Sequence, residues 1–316
     1  MYTVSQDGVK FDINNEGTLV GMWSKKKSVF IPKKVKGVII QAIGNRFCKD
    51  YIDYDKIAFD DSIDIIYSSA FEGASVKEVV WPSACDEIPY HCFYDSNVLK
   101  VSNTDNVVTV GPSAFEGSDI REFVWPSHCD RIPSRCFSRT DLKRISNIDG
   151  VVAIGEYAFS STNLEEFTVP SGVEVVEPCT FLCSEIRQLS WSASCPAIPH
   201  HCFGGCSRLE KIEIPDCVYY IGDGAFASCG VRKIRWPDSC EEIPVGCFDS
   251  SKIEEITNIS HIAKIGASAF AGSLLKRLDL SALPVCAIGE KAFGELERGS
   301  VSFPYYWDAN EINKYF

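Results

Sequence analysis

The sequence has no long run of apolar residues, and every apolar stretch is too short to span a bilayer. We therefore expect no membrane insertion. The start, MYTVSQDGVKFDI, also lacks the basic and then apolar segments of a signal peptide. On that ground alone the chain is expected to be cytoplasmic.

Catalytic and cofactor signatures are missing as well. There is no GxSxG elbow, no HExxH and no GxxxxGK[ST] phosphate loop. His91, His128 and His201 each precede a cysteine, but zinc sites usually show CxxC pairs and the sequence has none. We expect a protein that is not an enzyme and that holds no cofactor and no metal.

Positive charge is also scarce, since the formal net charge is -12. Nucleic-acid binding needs a concentrated basic face, so nucleic acid is excluded as a partner. Six lysines cluster near the start, and six aspartates follow in the next stretch. We expect the two groups to neutralise each other rather than to form a membrane-binding patch. They are Lys25, Lys26, Lys27, Lys33, Lys34 and Lys36, and Asp50, Asp53, Asp55, Asp60, Asp61 and Asp64.

What the chain does have is a repeat. Twelve phenylalanines recur every 22 to 24 residues, and a period in that range predicts a solenoid of stacked coils. They are Phe47, Phe71, Phe93, Phe115, Phe137, Phe159, Phe181, Phe203, Phe226, Phe248, Phe270 and Phe293.

Each repeat contains two recognisable segments. The first follows the form LxxIxIP, as in LEEFTVP from Leu164, and its apolar spacing predicts a short strand with one buried face. The second returns as IGxxAF, as from Ile154, where Gly suits a tight bend. Four coils carry the variant IPxxCF, with a Trp twelve residues before the Phe.

This pattern resembles the BspA-like family of leucine-rich repeats, found on the surfaces of bacteria and parasitic protists, over roughly residues 29 to 304. The resemblance implies a leucine-rich repeat solenoid of about twelve coils of 22–24 residues. Short parallel strands would form one face, and turns or short 3-10 segments the other. It also implies a cell-surface or secreted location, so the compartment stays open.

We expect one structural domain with three parts, at residues 1–30, 31–297 and 298–316. The first is a capping hairpin that turns at Asn14–Gly17, the second is the solenoid, and the third is a C-terminal cap and tail. In the last part we expect Tyr305, Tyr306 and Trp307 to cover the final coil. We expect the protein to be a monomer.

Fifteen cysteines are many for a cytosolic protein, and the number is odd. Four pairs share a spacing of seven residues, and equivalent residues two coils apart would be too distant for a disulfide. We predict that they are buried thiols used as small apolar fillers. Cys206 and Cys229 are the best candidates for a bridge, although we expect both to be reduced. Asn258, Asn103 and Asn147 share a repeat position and are predicted to be buried caps of turns.

The outward positions of the strands form columns in which charge alternates. Glu165, Arg187, Glu210, Arg232, Glu254 and Lys276 make the first; the second begins Glu78, Lys100, Glu122, Arg144, Glu166 and Gln188. Opposite charges on adjacent strands stabilise a sheet, which could account for the alternation by itself. The alternative is a recognition surface without a concave pocket. Its candidate residues are Glu78, Glu122, Arg144, Glu165, Glu166, Arg187, Glu210, Lys211, Arg232, Lys233, Arg235, Glu254, Glu255, Lys276 and Arg277.

Two functions fit these patterns. The first, implied by the resemblance, is a non-enzymatic adhesion or protein-binding module whose partner is a host cell-surface or matrix protein. The second is an intracellular protein–protein interaction scaffold with a cytosolic partner, favoured by the missing signal peptide and the expected reduced cysteines.

Overall fold

The computed structural model describes residues 1–48, 52–281, 286–305 and 307–316. The fold is a β-solenoid of about 13 turns with almost no helix, which confirms the predicted leucine-rich repeat solenoid. The chain forms two compact units, Met1–Val151 and Val152–Phe316. The division into residues 1–30, 31–297 and 298–316 stays a prediction.

The first unit begins with an antiparallel meander of β1, β2 and β3, after which the coils alternate between two lines of parallel strands. Strands β4, β8, β9 and β11 form one sheet, β13 pairs with β15, and β10 pairs with β12 on the other line. The strands are β1 (Tyr2–Gln6), β2 (Val9–Ile13), β3 (Thr18–Ser24), β4 (Ser28–Ile31), β5 (Lys34–Val35), β6 (Val38–Ile39), β7 (Ala42–Ile43), β8 (Tyr54–Phe59), β9 (Val76–Val80), β10 (Glu87–Ile88), β11 (Lys100–Ser102), β12 (Thr109–Val110), β13 (Glu122–Val124), β14 (Arg131–Ile132) and β15 (Arg144–Ser146).

The second unit repeats the same two lines. One line holds β17, β19, β21, β23, β25, β27 and β29, and the other holds β16, β18, β20, β22, β24, β26 and β28. The strands are β16 (Ala153–Ile154), β17 (Glu166–Thr168), β18 (Val175–Val176), β19 (Gln188–Ser190), β20 (Ala197–Ile198), β21 (Lys211–Glu213), β22 (Tyr220–Ile221), β23 (Lys233–Arg235), β24 (Glu242–Ile243), β25 (Glu255–Thr257), β26 (Lys264–Ile265), β27 (Leu278–Asp279), β28 (Ala287–Ile288) and β29 (Val301–Ser302).

We call the two surfaces of each unit the strand face and the return face. The strand face carries the outward side chains of β9, β11, β13 and β15 in the first unit and of β17, β19, β21, β23, β25 and β27 in the second. The return face carries those of β10, β12 and β14, and of β16, β18, β20, β22, β24, β26 and β28. The sequence predicted turns or 3-10 segments here, and the structure adds a line of two-residue strands.

The recurring phenylalanine sits in a tight turn, and from Phe71 to Phe293 the residues two before and two after it have positive φ. His91 (φ 55°) and Asp95 (φ 49°) flank Phe93 in this way, and His201 (φ 51°) and Gly205 (φ 69°) flank Phe203. A 3-10 helix requires φ near -60°, so these corners cannot continue as helix. Within the described residues, 3-10 helix occurs at Arg298–Ser300 and Asn313–Tyr315, beyond the last repeated phenylalanine.

The phenylalanine rings are buried and stack on one another along each unit. Phe93 and Phe115 have centroids 5.2 Å apart at an interplanar angle of 5°, and Phe226 and Phe248 lie 5.5 Å apart at 11°. Stacking places each ring against two others, so one ring fills the centre of each coil. The repeat of about 22 residues therefore corresponds to one buried phenylalanine ring per coil.

Tryptophan coils contain a hydrogen-bonded bracket that the sequence did not predict. The indole Nε1 of Trp81, Trp125, Trp191 and Trp236 donates to the carbonyl oxygen of the cysteine four residues later, at 2.8–3.1 Å. Each bond satisfies the donor of a buried ring. The spacing of Trp and Cys by four residues was the available signal.

In three of these coils an asparagine from the following coil completes the bracket. Asn103, Asn147 and Asn258 donate from Nδ2 to the carbonyl of the tryptophan 22 residues earlier, each at 2.7 Å. They cap turns as predicted. The prediction that they are buried is wrong for Asn103 and Asn147, which are exposed, while Asn258 is half-buried.

At the start of the chain, a turn lies at Asn14–Gly17, where Asn14 Oδ1 accepts from the backbone N–H of Thr18 at 2.8 Å. At the end, the short helix α1 (Ala309–Ile312) is capped by Asp308. Tyr305 is 99% exposed, so it does not cover the final coil as predicted. The Phe293 ring instead contacts the rings of Phe303 and Phe316, at centroid distances of 5.9 and 5.7 Å.

Trp307 does stack on Phe303, at 5.7 Å, and Tyr306 lies outside the described residues. Phe316, the last residue, replaces Tyr305 in covering the coil because α1 and the final 3-10 helix fold it back beneath Phe293.

Candidate functional site

The strand registers place the predicted charges in columns on the strand face. In the first unit Glu78 lies beside Lys100, and Glu122 beside Arg144. The Arg144 guanidinium donates to Glu122 at 2.8 Å, which raises the pKa of Arg144. Both side chains of this pair are exposed, so solvent screens it and it adds little stability.

The first column of the second unit forms two charge triads. Arg187 lies between two carboxylates, 3.9 Å from Glu165 and 3.6 Å from Glu210. In the other triad a carboxylate lies between two cations. Glu254 accepts from Lys276 at 2.5 Å and from Arg232 at 2.7 Å.

Glu254 is the most enclosed member of these triads, with a side chain only 17% exposed. The hydrogen bond from Lys276 is the main cause that lowers the pKa of Glu254, and Arg232 adds to it. Both triads agree with the view that alternating charge stabilises the sheet. They also show that Arg187, Arg232 and Lys276 already have partners.

The second column is less completely paired. Its register runs through Glu166, Gln188 and Lys211, and through Lys233, Glu255 and Arg277. Lys233 bonds Glu255 at 2.7 Å, whereas Lys211 bonds Glu213 of its own strand at 2.7 Å. Arg277 makes no ion pair with any residue that the structure describes. Among the strand-face cations described in the second unit, it is therefore the one best placed to meet a ligand.

Arg235, the last residue of β23, pairs sideways along the coil and not with the strands on either side. Its guanidinium reaches sideways to Asp216 and to Asp238, the latter at 3.0 Å. These two bonds raise the pKa of Arg235, with Asp216 contributing most. Arg235 thus holds the loop beside the strand, and little of its charge faces a partner.

Near Arg277 the strand face is indented. A depression of about 540 Å³ is lined by Ile259 and by Ile256, whose side chain is buried in the coil (5% exposed), among charged residues. The sequence predicted a strand face without a concave pocket, whereas the structure has this depression on it. Its charged lining comprises Lys233, Glu254, Glu255, Lys276, Arg277 and Asp279.

The sequence also missed a second depression, on the return face of the second unit, of about 410 Å³. Tyr219, Tyr220, His200, Asp223 and Glu241 contribute to its lining. The adjacent pair Tyr219–Tyr220 was the available signal, because it precedes the buried Ile221 of the IGxxAF segment and falls outside the repeated apolar positions.

The cysteines at the repeat positions are buried, as predicted, and this includes Cys206 and Cys229. Their reduced state stays a prediction. Burial raises the pKa of Cys206 and of Cys229 to about 12, so neither is a reactive thiolate at neutral pH. Cys183 and Cys217 are the exposed exceptions. Within the described ranges, no three or more His, Cys, Asp or Glu side chains group closely enough to hold a metal ion.

The lysine and aspartate groups near the start are partly paired. Lys33 lies 3.5 Å from Asp64, and Lys27 donates to the main-chain carbonyl of Asp53 at 2.8 Å. Asp50 lies outside the described residues. In the part of the chain that the structure covers, no helix has the length and apolar character needed to cross a membrane.

The fold and its faces define a leucine-rich repeat protein. The family model for the BspA type leucine rich repeat region matches residues 24–143, 64–187, 108–229 and 181–298. The chain therefore belongs to the BspA-type leucine-rich repeat family. No curated protein matches the sequence.

Solved structures show the same fold. A leucine rich cell surface protein from Faecalibacterium prausnitzii is 19% identical with a TM-score of 0.53, over 95% of this chain and 96% of that one. A leucine-rich repeat protein from Eubacterium ventriosum is 18% identical with a TM-score of 0.50, over 86% and 95%. Proteins of this family and fold are generally not enzymes and generally bind proteins.

Proposed function

We propose that this chain is a non-enzymatic protein-binding module that uses the strand face of its second unit, in an adhesion role toward a host cell-surface or matrix protein. The observation that carries the proposal is the depression around Arg277, where a guanidinium that has no ion pair with any described residue lies beside Ile259. Protein interfaces combine apolar contacts with charged groups at the rim.

Arg277 points to the chemistry of the contact. A guanidinium binds a carboxylate through two parallel hydrogen bonds, so the partner would insert an Asp or Glu side chain at this point. The triad of Arg232, Glu254 and Lys276 has its internal pairs and supplies a fixed surface around that contact. A surface location is supported by the leucine rich cell surface protein whose fold this chain shares.

The test is charge reversal inside and outside the depression. Arg277→Glu should weaken binding to cultured host cells or immobilised matrix protein by at least tenfold, because a buried guanidinium–carboxylate contact is replaced by like charges. The matched control is Lys291→Glu, the same change at an exposed position whose backbone lies in the corner after β28. Equal binding by wild type and Arg277→Glu would contradict the proposed site.

The triads give a second comparison. Charge reversal at Arg187, Arg232 and Lys276 breaks their ion pairs as well as changing their charges. These variants should therefore both bind more weakly and melt at a lower temperature. Arg277→Glu should weaken binding with the melting temperature unchanged, since no ion pair with a described residue is lost. Protease shaving of intact source cells tests the location. A band that survives until lysis would point instead to an intracellular interaction scaffold.

A further inference from the structure

The return face of the second unit carries exposed apolar side chains in several coils. Val175 is 49% exposed, Tyr219 63% and Tyr220 41%. Large apolar groups are normally scattered singly on a surface, so a contiguous set of them is informative.

Strand pairing links this set in two groups, one on β16 and β18 and the other on β20 and β22. The coils of β18 and β20 are joined by the backbone N–H of Cys179, which donates to the carbonyl of His200 at 3.0 Å. Val175 is paired with Ala153, and Tyr220 with Ala197 of the preceding coil. The backbone N–H of Tyr219 also donates to the carbonyl of Pro196 at 3.0 Å. We call this run of side chains the apolar strip; it comprises Val152, Val175, Pro196, Ala197, Tyr219 and Tyr220.

Charge on the part of this face from β16 to β24 has one sign. The return segments 152–158, 173–180, 196–202, 218–225 and 240–247 contain six acidic residues and no lysine or arginine. Lys264 of the next return strand, β26, bonds Glu242 at 2.5 Å. The acidic residues are Glu156, Glu174, Glu177, Asp223, Glu241 and Glu242.

The same segments of the first unit differ. The return segment with β14 carries Arg131 and Arg135 next to Asp130. The segment with β10 in the first unit is also acidic, with Asp86 and Glu87, but the run of five return segments without a cation lies in the second unit.

The strip ends in the depression of about 410 Å³, where a histidine fixes one of the tyrosines. His200 Nδ1 accepts from the backbone N–H of Asp223 at 3.0 Å, which leaves the ring proton on Nε2. His200 Nε2 then donates to the hydroxyl of Tyr220 at 2.9 Å. Burial raises the pKa of Tyr220, and the carboxylates of Asp223 and Glu242 raise it further.

Two groups at the mouth of this depression remain open to a ligand. Tyr219 presents an exposed ring, and Glu241 is exposed and makes no ion pair within the described ranges. An aromatic face beside a carboxylate is an arrangement that binds a guanidinium, through stacking on the ring and attraction to the charge.

We propose that the return face of the second unit binds an extended protein segment that alternates basic and apolar side chains. An arginine of that segment occupies the depression between Tyr219 and Glu241, and its apolar side chains lie along Val175 and Ala197. The carboxylates along the strip attract basic partners and repel anionic ones, including acidic lipid surfaces. This second surface is independent of the strand face.

The probe is a short acetylated and amidated peptide that alternates arginine and leucine, titrated calorimetrically into the full chain. A matched peptide with glutamate in place of arginine is the ligand control. We expect the arginine peptide to bind and the glutamate peptide not to bind. Tyr219→Ser should weaken binding about fivefold, as expected for loss of a cation–aromatic contact. Glu241→Gln should weaken it about threefold and reduce its salt dependence.

Control variants separate this site from the rest of the molecule. Tyr90→Ser changes an exposed tyrosine of the first unit, and Glu166→Gln removes one negative charge from the strand face. Both should bind the arginine peptide as wild type does. The proposal is overturned if the arginine peptide does not bind, if the glutamate peptide binds equally, or if Tyr90→Ser and Tyr219→Ser lose affinity equally. Melting temperatures of all variants establish that each is folded.

Discussion

Coil spacing in the second unit depends on a glycine that cannot carry a side chain. Gly222 follows β22, and a Cβ placed there would lie 2.4 Å from the backbone nitrogen of His200 and 2.8 Å from the carbonyl carbon of Pro199. The obstruction is backbone of the preceding coil and not a flexible side chain. Gly222→Ala must therefore push the two coils apart.

The magnitude follows from that geometry. Ordinary van der Waals contact begins at 3.4 Å, so a Cβ at 2.4 Å requires about 1 Å more separation between coils. Strands normally lie about 4.8 Å apart, and the Gly222 N–H to Ile198 carbonyl bond, now 2.8 Å, would be lost. Overpacking costs about 1–3 kcal/mol and the hydrogen bond about 1 kcal/mol. We expect Gly222→Ala to lower the free energy of unfolding by about 2–4 kcal/mol.

Urea unfolding followed by circular dichroism measures this change. The control is Gly299→Ala in the same unit, where a Cβ would meet nothing within 4 Å. That variant should match wild type or gain a few tenths of a kcal/mol through the unfolded state. If Gly222→Ala is as stable as Gly299→Ala, the argument from coil spacing is refuted.

Three further predictions concern hydrogen bonds, thiols and pH. Asn147→Gly keeps the positive φ but removes the hydrogen bond to the Trp125 carbonyl. The urea midpoint of unfolding should therefore fall by the equivalent of about 1 kcal/mol, and an unchanged midpoint would show that this hydrogen bond does not stabilise the fold. Brief alkylation of the native protein followed by peptide mass spectrometry should label Cys183 and Cys217 ahead of all others, and equal labelling of the core thiols would contradict their burial. The pKa of Glu254 is lower in the folded state than in the unfolded state. The stability that the ionised Glu254 carboxylate contributes is therefore fully present above its ordinary pKa of 4.5, and it is lost as pH falls through the depressed pKa of the folded state. Glu254→Gln should therefore flatten the acid limb of a plot of melting temperature against pH, and an unchanged limb would show that the triad contributes nothing.

Much of this fold could be predicted from the sequence because the repeat length of the sequence is set by the packing of one phenylalanine per coil. One Phe per coil fixes the register, and register then fixes which residues are neighbours across strands. Glu166, Gln188 and Lys211 are in one column for that reason. Their pairing could not be read from the column, because it depends on side-chain conformations such as the one that turns Lys211 toward Glu213.

The depressions could not be predicted either. Each is a gap between side chains whose directions vary from coil to coil, as when Arg235 leaves its column to bond Asp216 and Asp238. Tyr305 shows a different limit. Aromatic residues near a chain end predict a cap, but which ring covers the last coil depends on the path of the backbone, and here that ring is Phe316.

Zero-length carbodiimide cross-linking of the protein to its captured partner tests the central claim most directly, because it joins only carboxylates and amines in contact. Our account predicts cross-links from the partner to Lys233, Glu255 and Lys276 around the depression on the strand face, and their loss in Arg277→Glu. A stable complex whose cross-links all lie away from the strand face would contradict it.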